Sequence, residues 1–399
     1  MQLKDLIGLD EEKNNIIRVN LPYFLLRNKP EIKERQMVIF FGGAPKDLTL
    51  SEPQKYYSKM NECLDYVRKN YADYELVYKP HPADLEEKNH INLSGFNIIE
   101  EKSNAEIYLW KNLQRIEHAF AVNSWSAAVA FSFGLKANVF YPCFKNILSA
   151  AFIKSTDAFF REMPAQFFIN NLNVPLSTKE IGNIEDKLLI SEIKRILGSK
   201  EGTVWMTIAV TDYIAIVLAT AKIIKGLDPK RKINLIISRH HRWEVIDLDR
   251  DIKSFFDSIF ILPRIFYSLK PKRLAAAVSL ALKIRRWNIG QNDIIFGTSH
   301  FEFVENCFVS YHRKAKRILM IMQRDINWYY NPQSFLFSQK DFRWNKASYF
   351  YNKILEPLLG LFRTVYLSYK KEDVFNLNRY QKPLNRVYDE VIILKVPRA

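Results

Sequence analysis

"VWMTIAVTDYIAIVLATA", residues 204–221, decides the fold. The stretch is apolar and just long enough to cross a bilayer as a helix. Asp212 stands in its middle, however, and a carboxylate in hydrocarbon is costly. The β-branched and aromatic run 204–210 reads instead as a buried strand. Thr211 and Asp212 then make a turn, and 213–225 reads as a helix. A strand feeding directly into a helix is the repeating unit of a parallel α/β sheet, so this segment predicts an α/β chain rather than a membrane span.

The pattern continues on both sides. Downstream, "KINLIISR" (232–239), "SIFILP" (258–263), "DIIFGTS" (293–299) and "RILMIMQ" (317–323) read as strands with helices between them, and "TVYLSY" (364–369) and "EVIILKVP" (390–397) close the chain. Upstream, strands are expected at "MVIFFGG" (37–43), "YELVYKP" (74–80), "FNIIE" (96–100), "HAFAV" (118–122) and "KANVFYP" (136–142). Helices are expected at 51–71, opened by a serine cap and an early proline, at "AEIYLWKN" (105–112), and at "NSWSAAVAFSFG" (123–134), closed by Gly134. The polar stretch 175–203, with "GSKEG", marks a passage between domains. The expectation is two Rossmann-like domains facing a cleft, residues 1–200 and 201–399. By fold analogy this is the two-lobed, GT-B-like architecture common among nucleotide-sugar glycosyltransferases.

Charge separates the halves. Residues 1–200 carry 26 Lys and Arg against 25 Asp and Glu, whereas residues 201–399 carry 33 against 18. The basic half is expected to meet something anionic. No zinc finger, RNP-type motif or glycine-rich basic tail is present, so nucleic acid is not the expected partner. An anionic membrane face or an acidic glycan fits better. The helix "KPKRLAAAVSLALKIRRWN" (270–288) reads either as a membrane-surface helix or as core packing with solvated charged ends. Cys63, Cys143 and Cys307 form no disulfide framework or metal pattern, and the N-terminus has no signal peptide; both point to the cytoplasm.

Chemistry is expected where strands end. In "YELVYKPHPAD" (74–84), prolines on either side of His81 stiffen the turn at the carboxyl end of a strand, where open α/β sheets bind ligands. Alone, Pro-His-Pro reads as a rigid surface turn. Ser124 and Ser126 open a helix directly after a strand, and a helix's first turn attracts phosphate; alone, they read as an ordinary N-cap. Taken together, an ammonium (Lys79), an imidazole (His81), two hydroxyls and a helix terminus are able to grip one phosphate without a metal or other cofactor.

These residues carry a resemblance. "FFGG", "YELVYKPHP", "AEIYLWKN" and "FAVNSWSAAVAFSFGLKANVFYP" resemble the donor-binding half of bacterial CMP-sugar transferases, the polysialyltransferase- and sialyltransferase-like enzymes with a His-Pro motif and a downstream serine motif. The resemblance implies that His81, Ser124 and Ser126 hold the CMP phosphate. "VWMTIAVTDYIAIVLATAKII" with "KINLIISRHH", and "DIIFGTSHFEFVENCF" with "RILMIMQRDINWYY", resemble the acceptor-side domain of the same group. Two departures stand out. The halves come in reverse order, and the acidic motif reads Arg324-Asp325-Ile326, without its first acid and its glycine.

Asp212, ending a strand and opening a helix, reads as an N-cap or as a nucleophile that attacks the anomeric carbon and gives retention. With the reversed order, this makes the chain similar to the retaining β-Kdo transferases of O-antigen and capsule assembly, which use CMP-Kdo. Asp325 is the reserve acid. Arg239, His240, His241, Ser299 and His300, at or after strand ends, are candidates for the donor's carboxylate and the acceptor. Glu302 and Glu305 read as partners of these histidines or as a solvated helix face. The expected activity is transfer of a 2-keto acidic sugar, Kdo in preference, from a CMP-sugar donor to a lipid-linked or other glycan acceptor, at the inner face of the bacterial inner membrane. Alternatives are an inverting sialyltransferase and a non-catalytic glycan- or nucleotide-binding subunit.

Overall fold

The computed structural model describes residues 15–26, 36–43, 53–81, 87–99, 105–161, 163–174, 187–198, 201–209, 213–239, 252–265, 268–298, 302–323, 347, 350–362 and 387–395. The chain divides into two compact units, one of Asn20–Asp186 and one of Met1–Val19 with Lys187–Lys395. Each is built on its own sheet, and the strand pairings among residues 37–395 are parallel. The expected class, α/β with two Rossmann-like sheets, is what the chain adopts.

The domain limits differ from expectation. The opening strand β1 (Asn15–Asn20) lies at the edge of the second unit's sheet, so the neutral unit is an insertion into the basic one. The passage expected over 175–203 contains a helix, Lys187–Leu197, that also belongs to the basic unit. Its buried residues Leu189, Ile193, Ile196 and Leu197 follow helical spacing. The charged residues between them gave the stretch a linker's composition.

In the neutral unit, β2 (Met37–Phe41) is central and wholly buried, as a strand covered on both faces must be. Helix α1 (Pro53–Asn70) leads to β3 (Glu75–Lys79) and the two-residue β4 (Asn97–Ile98). Helix α2 (Ala105–Asn112) then leads to β5 (Ile116–Ala121), α3 (Trp125–Ser132), β6 (Lys136–Val139) and α4 (Ala150–Phe159). The sheet order β4-β3-β2-β5-β6 places the reversal of strand order between β2 and β5, the point at which such sheets open a ligand crevice. Gly134, at φ +78°, ends α3 in a conformation that side chains resist.

One face of this sheet is an aromatic stack. Phe40 lies 6.2 Å from Tyr78 and 5.9 Å from Phe140, and Phe140 lies 5.7 Å from Phe120. His118 stacks on Phe120 at 4.2 Å. The Tyr71 hydroxyl donates to His118 Nδ1 (2.6 Å), and His118 Nε2 donates to Asn138 Oδ1 (2.6 Å). Burial lowers this imidazole's pKa to about 3, so it is neutral in the fold. The unfolded chain takes up a proton near the ordinary histidine value of ~6.5 that the fold refuses, so stability is full above it and falls as the pH drops toward 3, by about 4–5 kcal/mol in all. Urea titrations across that range should show this loss in the wild type and a shallower slope in His118→Gln.

In the basic unit, the helix 187–197, now α5, packs on α6 (Ile214–Leu227). The segment 204–221 is strand and helix as expected: β7 (Val204–Ile208) precedes α6. Among the described residues no helix is long and apolar enough to cross a membrane. Then come β8 (Ile233–Arg239), β9 (Ser258–Pro263), α7 (Pro271–Arg285), β10 (Ile294–Gly297), α8 (Phe303–Tyr311), β11 (Lys316–Met322) and β12 (Glu390–Lys395). The order β1-β12-β11-β10-β7-β8-β9 repeats the reversal, here between β7 and β10. The strand expected at 364–369 lies outside the described residues.

Glu390 ties α5 to this sheet. Arg195 Nη1 donates to its Oε1 at 3.2 Å, and Lys316 Nζ lies 2.7 Å from it. Burial alone would raise this carboxyl, but the hydrogen bonds from Arg195 and Lys316 hold it below its usual range. Its stabilising contribution is therefore complete at neutral pH and is lost as the pH falls through the depressed value. Glu390→Gln is expected to cost about 2 kcal/mol in urea unfolding at neutral pH, tempered by the exposure of Arg195, with the deficit closing in acid.

Candidate functional site

Three strand ends meet at the carboxyl edge of the neutral sheet. Phe41 of β2 pairs with Lys79 of β3 on one side and Ala121 of β5 on the other. The residues that follow are Gly42 and Gly43, Pro80 and His81, and Val122 to Ser124. The flanking strands lie about 10 Å apart, two strand spacings. His81 and the serine pair thus leave the sheet on either side of the glycine turn; the strand ends expected to be neighbours are separated by β2.

Ser124 caps α3, its Oγ accepting from Ser126 N at 3.2 Å. The two hydroxyls are themselves 2.9 Å apart, so one proton lies between them. Both side chains are half-buried, as is His81. The first-turn amides of α3 and the positive end of its dipole lie at the same edge. Lys79 is placed differently from a surface cation. It is 3% exposed, with Nζ 5.4 Å from the centroid of the Tyr108 ring, a cation–π contact inside the unit.

The sequence did not reveal what supports the glycine turn. Glu87 is fully buried. Its Oε2 accepts from Gly43 N (2.9 Å) and the Tyr78 hydroxyl (2.6 Å), and its Oε1 accepts from the Tyr56 hydroxyl (3.2 Å). The turn lies so close to this carboxylate that a Cβ on Gly42 would sit 2.7 Å from Glu87 Oε2, and one on Gly43 2.6 Å from the Tyr56 hydroxyl. Glycine is required here for close approach. Through the Tyr78 hydroxyl and Gly43 N, Glu87 also links β3, the strand that ends before His81, to the glycine turn. In sequence it sits in "LEEKNH", which looks like any solvated charged loop. No fixed spacing connects it to Tyr56 or Gly43, so no signal in the sequence marks it.

In the basic unit, Asp212, His240, His241, Ser299, His300 and Asp325 lie outside the described residues. Arg239 is exposed at the end of β8. The strands from which Asp212 and Ser299 follow, β7 and β10, are neighbours at the reversal point, and Thr298 Oγ1 donates to Thr207 O across them at 3.0 Å. Glu302 is no solvated face. It caps α8, Oε2 accepting from Val304 N (2.7 Å) and Glu305 N (3.2 Å), while Oε1 accepts from Ser238 Oγ (2.8 Å). Burial pushes its carboxyl up despite these bonds. Glu305 is buried and accepts from the Tyr388 hydroxyl at 3.2 Å, directly behind Gly297. A carboxylate–tyrosine pair thus backs the strand-end glycine here, as Glu87 does in the other unit.

No protein family and no curated protein matches the sequence. Among solved structures, the wall teichoic acid polymerase TagF, in a variant soaked with CDPG, aligns over 92% of this chain and 86% of its own at 11% identity and a TM-score of 0.20. A second TagF variant aligns over 76% and 74% at 10% identity and a TM-score of 0.18. Likeness at that level gives no correspondence between residues.

Proposed function

We propose that the chain is a glycosyltransferase that moves a 2-keto acidic sugar, Kdo in preference, from a CMP-activated donor to a cell-surface glycan. One observation carries this reading: His81 and the Ser124–Ser126 pair leave one parallel sheet at the same edge, on either side of a glycine turn at the reversal point. An anionic leaving group bound there meets an imidazole, hydroxyls and the amides of a helix N-terminus. The resemblance of the His-Pro and serine motifs to CMP-sugar transferases supports cytidine monophosphate as that group.

In this reading His81 protonates or hydrogen-bonds the departing phosphate, Ser124 and Ser126 hold its other oxygens, and Lys79 adds positive charge from within the sheet. Asp212 attacks the anomeric carbon as the bond to phosphate breaks. The acceptor hydroxyl then displaces Asp212 and releases its proton to solvent, with net retention. Asp325 is the reserve acid. Arg239, His240, His241, Ser299 and His300 meet the sugar carboxylate and the acceptor. The enzyme would work in the cytoplasm, where CMP-sugars and lipid-linked acceptors meet.

A panel of CMP- and CDP-activated donors tests this, with nucleotide release followed with and without acceptor. CMP-Kdo should turn over fastest, its product should keep the anomeric configuration by NMR, and a sugar adduct should appear by intact mass. Inversion would favour the sialyltransferase reading with Asp325 or Asp212 as base. Binding without turnover would favour a non-catalytic subunit.

A further inference from the structure

Helix α7 buries Ala277, Leu280, Ala281 and Ile284 and turns its other side to solvent. The exposed stripe runs Lys272, Ala275, Ala276, Ser279, Leu282, Lys283 and Arg286, spaced as one helix face. From its start at Pro271 the helix extends about 22 Å, by the rise per residue. Leu269, just before it, is 48% exposed, and Leu282 is 43% exposed.

At the start of α7 the charge pattern is not one that serves the helix, whereas Lys283 and Arg285 in its last turn complement the dipole. No Asp or Glu occurs between Asp257 and Asp293, while Arg264, Lys270, Lys272, Arg273, Lys283, Arg285 and Arg286 do. Lys272 and Arg273 stand in the first turn, where the dipole is positive and acids are favoured; no acid is there, and the N-cap Lys270 makes no side-chain cap bond. A solvated face gains from alternating signs. Among the described residues, none of Lys272, Arg273, Lys283 and Arg286 has a carboxylate within ion-pair distance.

The carboxyl end of the helix is firmly seated. Trp287 packs 4.9 Å from Phe260, 5.6 Å from Trp205 and 5.1 Å from Phe308. Beside it lies a hollow of about 410 Å³ lined by Ser279, Leu282, Lys283, Arg286 and Trp287. An indole, an exposed leucine and two cations around one hollow match the boundary between lipid headgroups and acyl chains. Small residues between the charged ends let the helix lie close to a flat surface.

We propose that α7 lies on a bilayer bearing anionic lipids, its cations against the headgroup phosphates and Leu269 and Leu282 at the acyl boundary. Exposed leucines add nothing to a phosphate backbone, and the aromatic ring of the hollow, Trp287, is already packed against Phe260, Trp205 and Phe308 rather than presented to stack on a base. The inference is independent of the donor and of the reaction.

The test is co-sedimentation of the full chain with vesicles of phosphatidylglycerol and phosphatidylcholine, and with phosphatidylcholine alone. Binding should require the anionic lipid and weaken with salt. Lys283→Glu with Arg286→Glu should lower it by at least about 25-fold, a factor of about five for each of the two cations removed, with the new carboxylates lowering it further. Leu282→Asp should weaken it as well. A control pair with the same charge change elsewhere in the unit, Lys230→Glu with Lys232→Glu, should leave most of it intact. Hydrogen-exchange protection of residues 271–286 on adding vesicles to the unaltered chain gives a readout that does not depend on any variant folding. Equal binding to neutral vesicles, an equal loss in the control pair, or no protection of α7 would overturn the proposal. So would tighter retention on RNA or DNA that the α7 substitutions abolish.

Discussion

His81→Ala is expected to lower turnover of a CMP-activated donor by ~10²–10⁴-fold, the usual worth of a positioned proton donor. The effect should fall on kcat more than on KM, because the phosphate keeps Ser124, Ser126 and the first turn of α3. Pro80 fixes the backbone entering the turn whatever the side chain at 81, so the variant should fold. Ser124→Ala with Ser126→Ala is the complementary variant, expected to raise KM for the donor, since hydrogen bonds to a charged group are worth about 1.5–3 kcal/mol each. Steady-state kinetics on both would separate protonation from grip. Turnover of His81→Ala within a few-fold of wild type would remove the imidazole from the chemistry and leave Pro-His-Pro as a rigid turn.

The second large effect is on stability. Glu87→Ala strips the acceptor from three donors, Gly43 N and the hydroxyls of Tyr56 and Tyr78, in a place where water does not reach. Tyr56 and Tyr78 are both fully buried. Burial and the neighbouring Glu87 carboxylate raise the Tyr56 phenol well above its ordinary value, so it remains a donor. Orphaning such groups costs about 1–3 kcal/mol each, part of which relaxation recovers, so a loss of about 3–5 kcal/mol is expected. Glu87→Gln keeps one oxygen but turns an amide toward the remaining donors, and should fall between the two. Urea unfolding of the full chain measures both, and a loss below 1 kcal/mol for Glu87→Ala would mean that the carboxylate is a bystander. Because Glu87 holds both the glycine turn and Tyr78 of the strand that ends before His81, a milder variant such as Glu87→Gln should also impair donor turnover while the chain remains folded. Lost turnover in a folded chain would identify a positioning residue.

Much of this molecule is legible locally. Strands buried on both faces must be continuous apolar runs, and "MVIFF" and "RILMIM" are. Asp212 in the middle of 204–221 was enough to separate strand and helix from a membrane span. The placement of His81 and of Ser124 follows from the rule that residues just beyond a parallel strand lie at its carboxyl edge. Helix α5 is masked by the polar and charged composition of 175–203. Its four buried residues carry the period all the same.

What the amino-acid sequence determined by itself is the alternation of strand and helix, the two basic–neutral halves, and which residues end each strand, because all of these depend on near neighbours along the chain. Tertiary structure alone decided that β1 joins the sheet of the far half, that Lys79 lies under Tyr108 rather than at the surface, and that Glu87 rather than a nearer residue holds the glycine turn. Those outcomes turn on which groups meet after the chain has crossed over itself, where desolvation makes one buried carboxylate among three donors decisive and leaves no trace in spacing.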